Sequence, residues 1–304
     1  LAAMHQSQDN ESAGARYTQL QMNAQAAISA MELYEAFGET EYLSRGVSFA
    51  RILMACQASA VDPSFSIPLR GYFYENETHE RIQTYYHRSY EHAPIKAFAM
   101  LYRLAPEHED AARWKNSLEL YREYVALTSR TVPYGLLPNG IYELDNTDFS
   151  TITHEGARAA GAPSLEEYNA QVRNGIRLND RFYLRVFPVA YQFRGFHATL
   201  MGRALAAMEL ARALNDREIK QVAVRQMEWI LGCNPFAVSS MYGEGHDYHP
   251  LYAPMSPQLV GAVPVGFETF ENEDQPFYPM QNNATYKEVW VHTTCRMMWL
   301  IAML

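Results

Sequence analysis

The run YKEVWVHTTCRMMWLIAML, residues 286–304, sets Glu288, His292 and Arg296 four residues apart among apolar neighbours. On a helix that spacing puts a carboxylate, an imidazole and a guanidinium on one side. A carboxyl group buried against an aromatic such as Trp290 keeps its proton to higher pH and can donate it near neutrality. The same residues also have a purely structural use. Thr285 and Glu288 have the spacing of a capping box, and the helix dipole favours a carboxylate at a helix start. The two uses coexist only if Asn283 makes the cap instead.

Three other stretches concentrate polar chemistry. In ILGCNPFAVSSMYGEGHDYHP, residues 230–250, a helix ends at Gly232 and Asn234-Pro235 forces a turn. The loop that follows carries Tyr242, Glu244, His246, Asp247, Tyr248 and His249. His246 and His249 have the spacing of a metal pair, but no matching third ligand stands nearby, so no metal is expected. In QTYYHRSYEHAP, residues 83–94, the groups Tyr85, Tyr86, His87, Arg88, Tyr90, Glu91 and His92 precede an apolar helix. Glu91 there can serve the dipole and Arg88 can be a surface charge. So many polar and aromatic groups exceed what capping needs, and Tyr86, His87, Arg88 and Glu91 are read as a site lining. In YGLLPNGIYELDNTD, Glu143, Asp145 and Asp148 fit turn chemistry, with one of them an outside candidate for a second carboxylate. A calcium loop wants more oxygen ligands at alternating spacing. Motifs for nucleotide-based or serine-based catalysis are absent from the sequence.

The elements that would position these groups are helices. Apolar residues at helical spacing predict helices over 15–37, ending at Gly38, and from a Thr40 cap to about Ala58. Further helices are predicted over 90–104, 107–129, 193–214 and 216–232, with a last one opening at Glu288. Residues 60–85, 130–180 and 233–285 read as long irregular connections, which in a compact domain are usually functional. Helix pairs joined alternately by tight turns and long loops fit an α/α toroid, taken as one domain over 1–304, with the loops lining one end. The pattern holds fewer helices than six hairpins require. The opening run LAAMHQSQDN reads as the tail of a helix already under way, so upstream sequence is expected.

Composition sets outer limits. The 304 residues are 48% apolar and 19% charged, with net charge -9 and no basic stripe, which argues against a nucleic-acid partner. No apolar run reaches the ~20 residues that span a bilayer. Cys56, Cys233 and Cys295 form neither a disulfide framework nor a cysteine-rich metal site. The 21 tyrosines offer flat faces with polar tips, which suit sugar-like ligands and also large helical cores.

The order of segments over about residues 190–304 resembles glycoside hydrolase family 9. Leu231, Gly232, Asn234 and Pro235 match that family's turn, the LVGAVPVG stretch follows, and Glu288-Val289 match its last motif. The resemblance implies an (α/α)6 toroid and hydrolysis of glycosidic bonds with inversion, with Glu288 as the general acid. It further implies that Tyr86, Tyr242, Tyr248 and Trp290 stack on sugar faces, while His246, His249 and His292 bond hydroxyls. Arg88 and Lys287 would pair with an acidic substituent if the sugar carries one. Three departures mark a divergent branch. His246 and His249 lack the arginine of the family's His-His-Arg segment, and Lys287 replaces an asparagine. The Asp-rich motif that holds the family's base is absent, so the base is expected upstream of Leu1. A carbohydrate substrate, no cofactor and a periplasmic or secreted location follow as expectations, with oligomeric state left open. Two other functions stay open: a polysaccharide lyase centred on Tyr86, His87 and Arg88, and a non-catalytic glycan-binding protein.

Overall fold

In the computed structural model the described residues are 17–85, 90–146, 164–189, 195–252, 258–269, 273–277 and 287–304. Three helical hairpins and a last helix form the frame. Helix α1 (Gln19–Phe37) stops at left-handed Gly38, as its sequence pattern predicts, but begins four residues later than expected, at a Thr18–Gln21 capping box. Helix α2 (Thr40–Ala55) follows after two residues. Its cap is Glu39, not the predicted Thr40, and no side chain closes its first turn. It ends before Ala58 because Gln57 pairs with Phe73 and the Ala58 amide bonds Tyr72.

Helices α3 (Ala93–Leu104) and α4 (Ala111–Thr131) form the second hairpin. Pro94 sits in the first turn of α3, where its missing N–H costs nothing. Glu91 therefore precedes the helix instead of lying within its first turn. Helix α5 (Leu165–Arg173) lies in a stretch read as polar loop; Ser164 and Glu167 cap it reciprocally. Helices α6 (His197–Leu214) and α7 (Arg217–Ile230) form the third hairpin, with Asp216 accepting from the amides of Glu218 and Ile219. Helix α8 (Val291–Ala302) completes the set. Strands are short: β1 (Gly140–Glu143), β2 (Ile176–Arg177) and β3 (Phe182–Arg185) pair antiparallel in the order β1-β3-β2. A second ladder pairs β4 (Glu268–Thr269) with β5 (Pro276–Phe277). The all-α hairpin class expected from the sequence is the observed one.

Helix α6 is the centre. Every residue from His197 to Met208 is buried. It packs against α3, α4, α7 and α8, and its small residues Ala198, Gly202, Ala204, Ala206 and Ala207 let those neighbours come close. The three cysteines are free thiols. No helix among the described residues is long and apolar enough to cross a membrane.

The loop after α2 touches α4 backbone to backbone. At Gly71, with φ +87°, an added Cβ would lie 2.0 Å from the Leu120 carbonyl oxygen. Neither a positive φ nor a backbone clash is relieved by a rotamer change. Gly71→Ala is expected to lower stability by about 2–3 kcal/mol in urea unfolding. An unchanged midpoint would show that this contact is not made.

Candidate functional site

The segment before α3 meets α6 at a narrow cleft of about 40 Å³. One wall is aromatic and continuous: the ring centroids of Tyr72 and Tyr124, Tyr124 and Tyr121, and Tyr121 and Phe73 are 6.3, 5.9 and 6.1 Å apart. Tyr121 and Tyr124 present one face of α4 because they are three residues apart. Burial raises the phenol pKa of Tyr72, Tyr121 and Tyr124, so their hydroxyls stay protonated. The opposite rim holds polar groups. Arg203 Nη1 donates to Asn139 Oδ1 at 2.5 Å, and Asn139 Nδ2 donates to the Tyr142 hydroxyl at 2.6 Å. Gln83 is held by Thr18, whose hydroxyl donates to Oε1 at 2.6 Å. Tyr85 also lines the cleft.

Glu91 is the carboxyl of this site. It is 4% exposed, and neither oxygen has a hydrogen-bond partner. Its carboxyl lies over Gly202, where an added Cβ would stand 2.1 Å from Oε2. Only glycine leaves that space, and Arg296 Nη1 would be 3.3 Å from the same Cβ. Burial pushes the Glu91 pKa up to about 7, against the opposing pull of Arg296 and Arg203. Next to it, burial brings His92 down to about 3, so its ring is neutral, edge-on to Trp299 at 5.1 Å.

The groups picked out in the sequence separate into clusters. Tyr86, His87 and Arg88 lie outside the described residues. Glu288 does not share a helix with His292 and Arg296: α8 starts at Val291, after an extended Trp290. The helical column is thus corrected, and no side chain caps α8; the Thr285–Glu288 capping box falls on a residue outside the described ones. Val289 instead bridges Pro264, and the Val265 amide bonds the Glu288 carbonyl at 2.9 Å. That pairing keeps the chain extended there. Glu288 is half-buried, and its Oε2 accepts from the Trp290 indole N–H at 2.6 Å. The His292 ring lies 5.2 Å from that indole. Arg296 points the other way, towards Glu91, and donates to the Ala198 carbonyl.

In the 239–249 loop, Tyr242 and Tyr248 stack edge to face at 5.2 Å and His246 is exposed. His249 is buried; burial, with Lys287 next in weight, brings its pKa to about 4. Lys287 is itself buried, which lowers its ammonium pKa. Of the residues expected to bind substrate, Glu91 is the one among the described residues that lines the cleft. Arg203, Asn139, Gln83 and the tyrosine wall were missed. Arg203 left a signal, a lone cation in the small and apolar run HATLMGRALAAM. Among the described residues, no group of His, Cys, Asp and Glu side chains is arranged to hold a metal ion.

Glu288 and Glu91 are tied to the same helix. Through Val265 the Glu288 backbone reaches His197, the first residue of α6, while Glu91 lies over Gly202. Those two points are about 7–8 Å apart along the helix axis.

No protein-family model matches the chain, and no curated protein does. Among solved structures it is similar to endoglucanase CelQ from Clostridium thermocellum complexed with cellobiose and cellotriose, at 15% identity and TM-score 0.36, over 93% of this chain. It is similar to the catalytic domain of Clostridium thermocellum CelT at 14% identity and TM-score 0.36, over 94%. The cellulase Cel9M of C. cellulolyticum matches at 15% identity and TM-score 0.31, over 94% of this chain and 84% of that one. The chain spans 47% of the CelQ structure and 60% of the CelT one.

Glu91 makes stability depend on pH. The folded protein keeps its proton to about pH 7, whereas an unperturbed carboxyl releases it near 4.5. The unfolded state therefore gains from ionisation first, and folding loses ground as pH rises from 4.5 to 7. Relative to wild type, Glu91→Gln is expected to gain on the order of 1–3 kcal/mol across that window in denaturant unfolding, then level off. Parallel curves for the two proteins would contradict the buried, proton-holding carboxyl.

Proposed function

We propose that this chain carries the working end of a glycoside hydrolase, with carbohydrate held at the cleft between the segment before α3, α4, β1 and α6. The observation that carries the reading is the cleft. Tyrosine faces, hydroxyl donors, an amide, a guanidinium and a carboxyl around one narrow space are the chemistry that grips a hydroxylated ring. The segment order around Leu231–Pro235 and Glu288-Val289 supports the same reading.

In this proposal Glu288 gives a proton to the glycosidic oxygen as the bond to the anomeric carbon breaks. A water oxygen bonds that carbon from the opposite face and loses its proton to a second carboxylate. The Trp290 indole N–H holds one Glu288 oxygen, and the Val265–Glu288 backbone bond fixes its height on α6. Glu91 is unsuited to the role of base below about pH 7, because there it keeps its own proton. The base is proposed to lie in an acidic segment outside residues 1–304. The stacking and hydroxyl-bonding roles of Tyr242, Tyr248, His246, His249, Trp290, Lys287 and His292 belong to this proposal, as does a location where polymer is met, in the periplasm or outside the cell.

The test is release of new reducing ends from soluble polysaccharides by the full-length protein and its Glu288→Gln variant. The variant is expected to lose about 10²–10⁴-fold in turnover while still binding polymer. Unchanged turnover would remove Glu288 from the chemistry, and an ultraviolet-absorbing unsaturated product would identify a lyase instead.

A further inference from the structure

The inner end of the cleft holds a buried guanidinium with an unused donor. Arg203 is 5% exposed, donates to Asn139 through Nη1, and has no acceptor at Nε. Among the described residues, the carboxylate that acts on Arg203 is Glu91, and Glu91 also acts on Arg296. Two buried guanidiniums thus face one carboxyl, and neither of its oxygens is hydrogen-bonded. A buried cation without a full set of acceptors is costly, and so is a buried carboxyl without donors. Both residues line the same narrow cleft, and the two defects share one remedy. A ligand carboxylate can accept from Arg203 in the planar, two-pronged geometry that a guanidinium favours, and a carboxylic acid can donate to it.

We propose that the cleft takes a carboxylate-bearing sugar, a uronic acid residue, with its carboxylate between the Arg203 guanidinium and the Glu91 carboxyl and its ring against the Tyr72–Tyr124–Tyr121 wall. This rests on the carbohydrate reading above and names the substrate class of that site. Arg203 and Glu91 become the residues that set specificity, and Gly202 the residue that gives Glu91 its place.

The arrangement is sensitive to pH through Glu91. The groups facing it are Arg203 from α6, Arg296 from α8, Tyr121 and Tyr124 from α4, and Tyr85 and His92 from its own segment. The tyrosines and His92 stay neutral around pH 7, and the arginines stay charged. Loss of the Glu91 proton is then the local change, and it sets a second negative charge against the ligand's carboxylate.

Calorimetric titration of the full-length protein with trigalacturonate and with cellotriose tests this. At about pH 5.5, trigalacturonate is expected to bind at least about tenfold more tightly than cellotriose. That advantage should shrink by about tenfold at about pH 8.5 in wild type and persist in Glu91→Gln. Arg203→Met should abolish it. If that variant does not fold, the Glu91→Gln comparison, which keeps the side-chain shape, still decides. Equal or tighter binding of cellotriose overturns the uronate assignment and leaves the hydrolase reading to the Glu288 assay. An advantage that does not change with pH in wild type overturns the Glu91 contact. Binding of neither sugar overturns the inference altogether.

Discussion

A carboxyl group held out of water against the backbone of α6 is the constraint around which this molecule is arranged. Glu91 reaches Gly202 because that position has no side chain, and it stays there between Arg203 and Arg296. Several features of the fold serve this contact. Pro94 starts α3 just after Glu91, leaving Glu91 on the connecting segment. The small residues of α6 draw α3 and α8 close enough for all three charged groups to share one volume. Burial then decides the chemistry: below about pH 7 the group is a proton donor instead of an anion.

The loops at the helix N-termini are held by backbone pairing. Val265 bonds both the His197 amide and the Glu288 carbonyl, so one residue links the starts of α6 and the approach to α8. His197 packs its ring on Gly266, where an added Cβ would collide at 2.1 Å, and its Nδ1 lies 3.1 Å from the Pro264 carbonyl. Thr293 donates to the Val263 carbonyl from the first turn of α8. A rigid floor of this kind is what a loop-built site needs, since a carboxyl that drifts by an ångström loses its alignment with substrate.

Much of the helical frame was legible from local signals. Gly38 and Asp216 each mark a boundary through a single turn of chain. Ser164 and Glu167 carried the same kind of signal for α5 but lay in a polar stretch read as loop. The failures have a common cause. Thr40 looked like a cap, yet the two-residue turn Gly38-Glu39 leaves that place to Glu39. Glu288 had helical spacing to His292, yet Val289 is taken by Pro264, a partner 25 residues away that no local pattern reveals. The site was legible in part for the same reason. Glu91 stood out because polar residues crowd before an apolar helix. Arg203 and the tyrosines of α4 become a cleft only when α3, α4 and α6 are brought together.

The most direct test is the titration of Glu91 itself, followed by the ¹³C shift of its side-chain carboxyl in labelled protein and assigned with Glu91→Gln. The folded protein is expected to show a midpoint near pH 7, set by burial beside Gly202. A midpoint near 4.5, the ordinary value for a glutamate, would mean that the carboxyl is solvated, and the site as described would not exist.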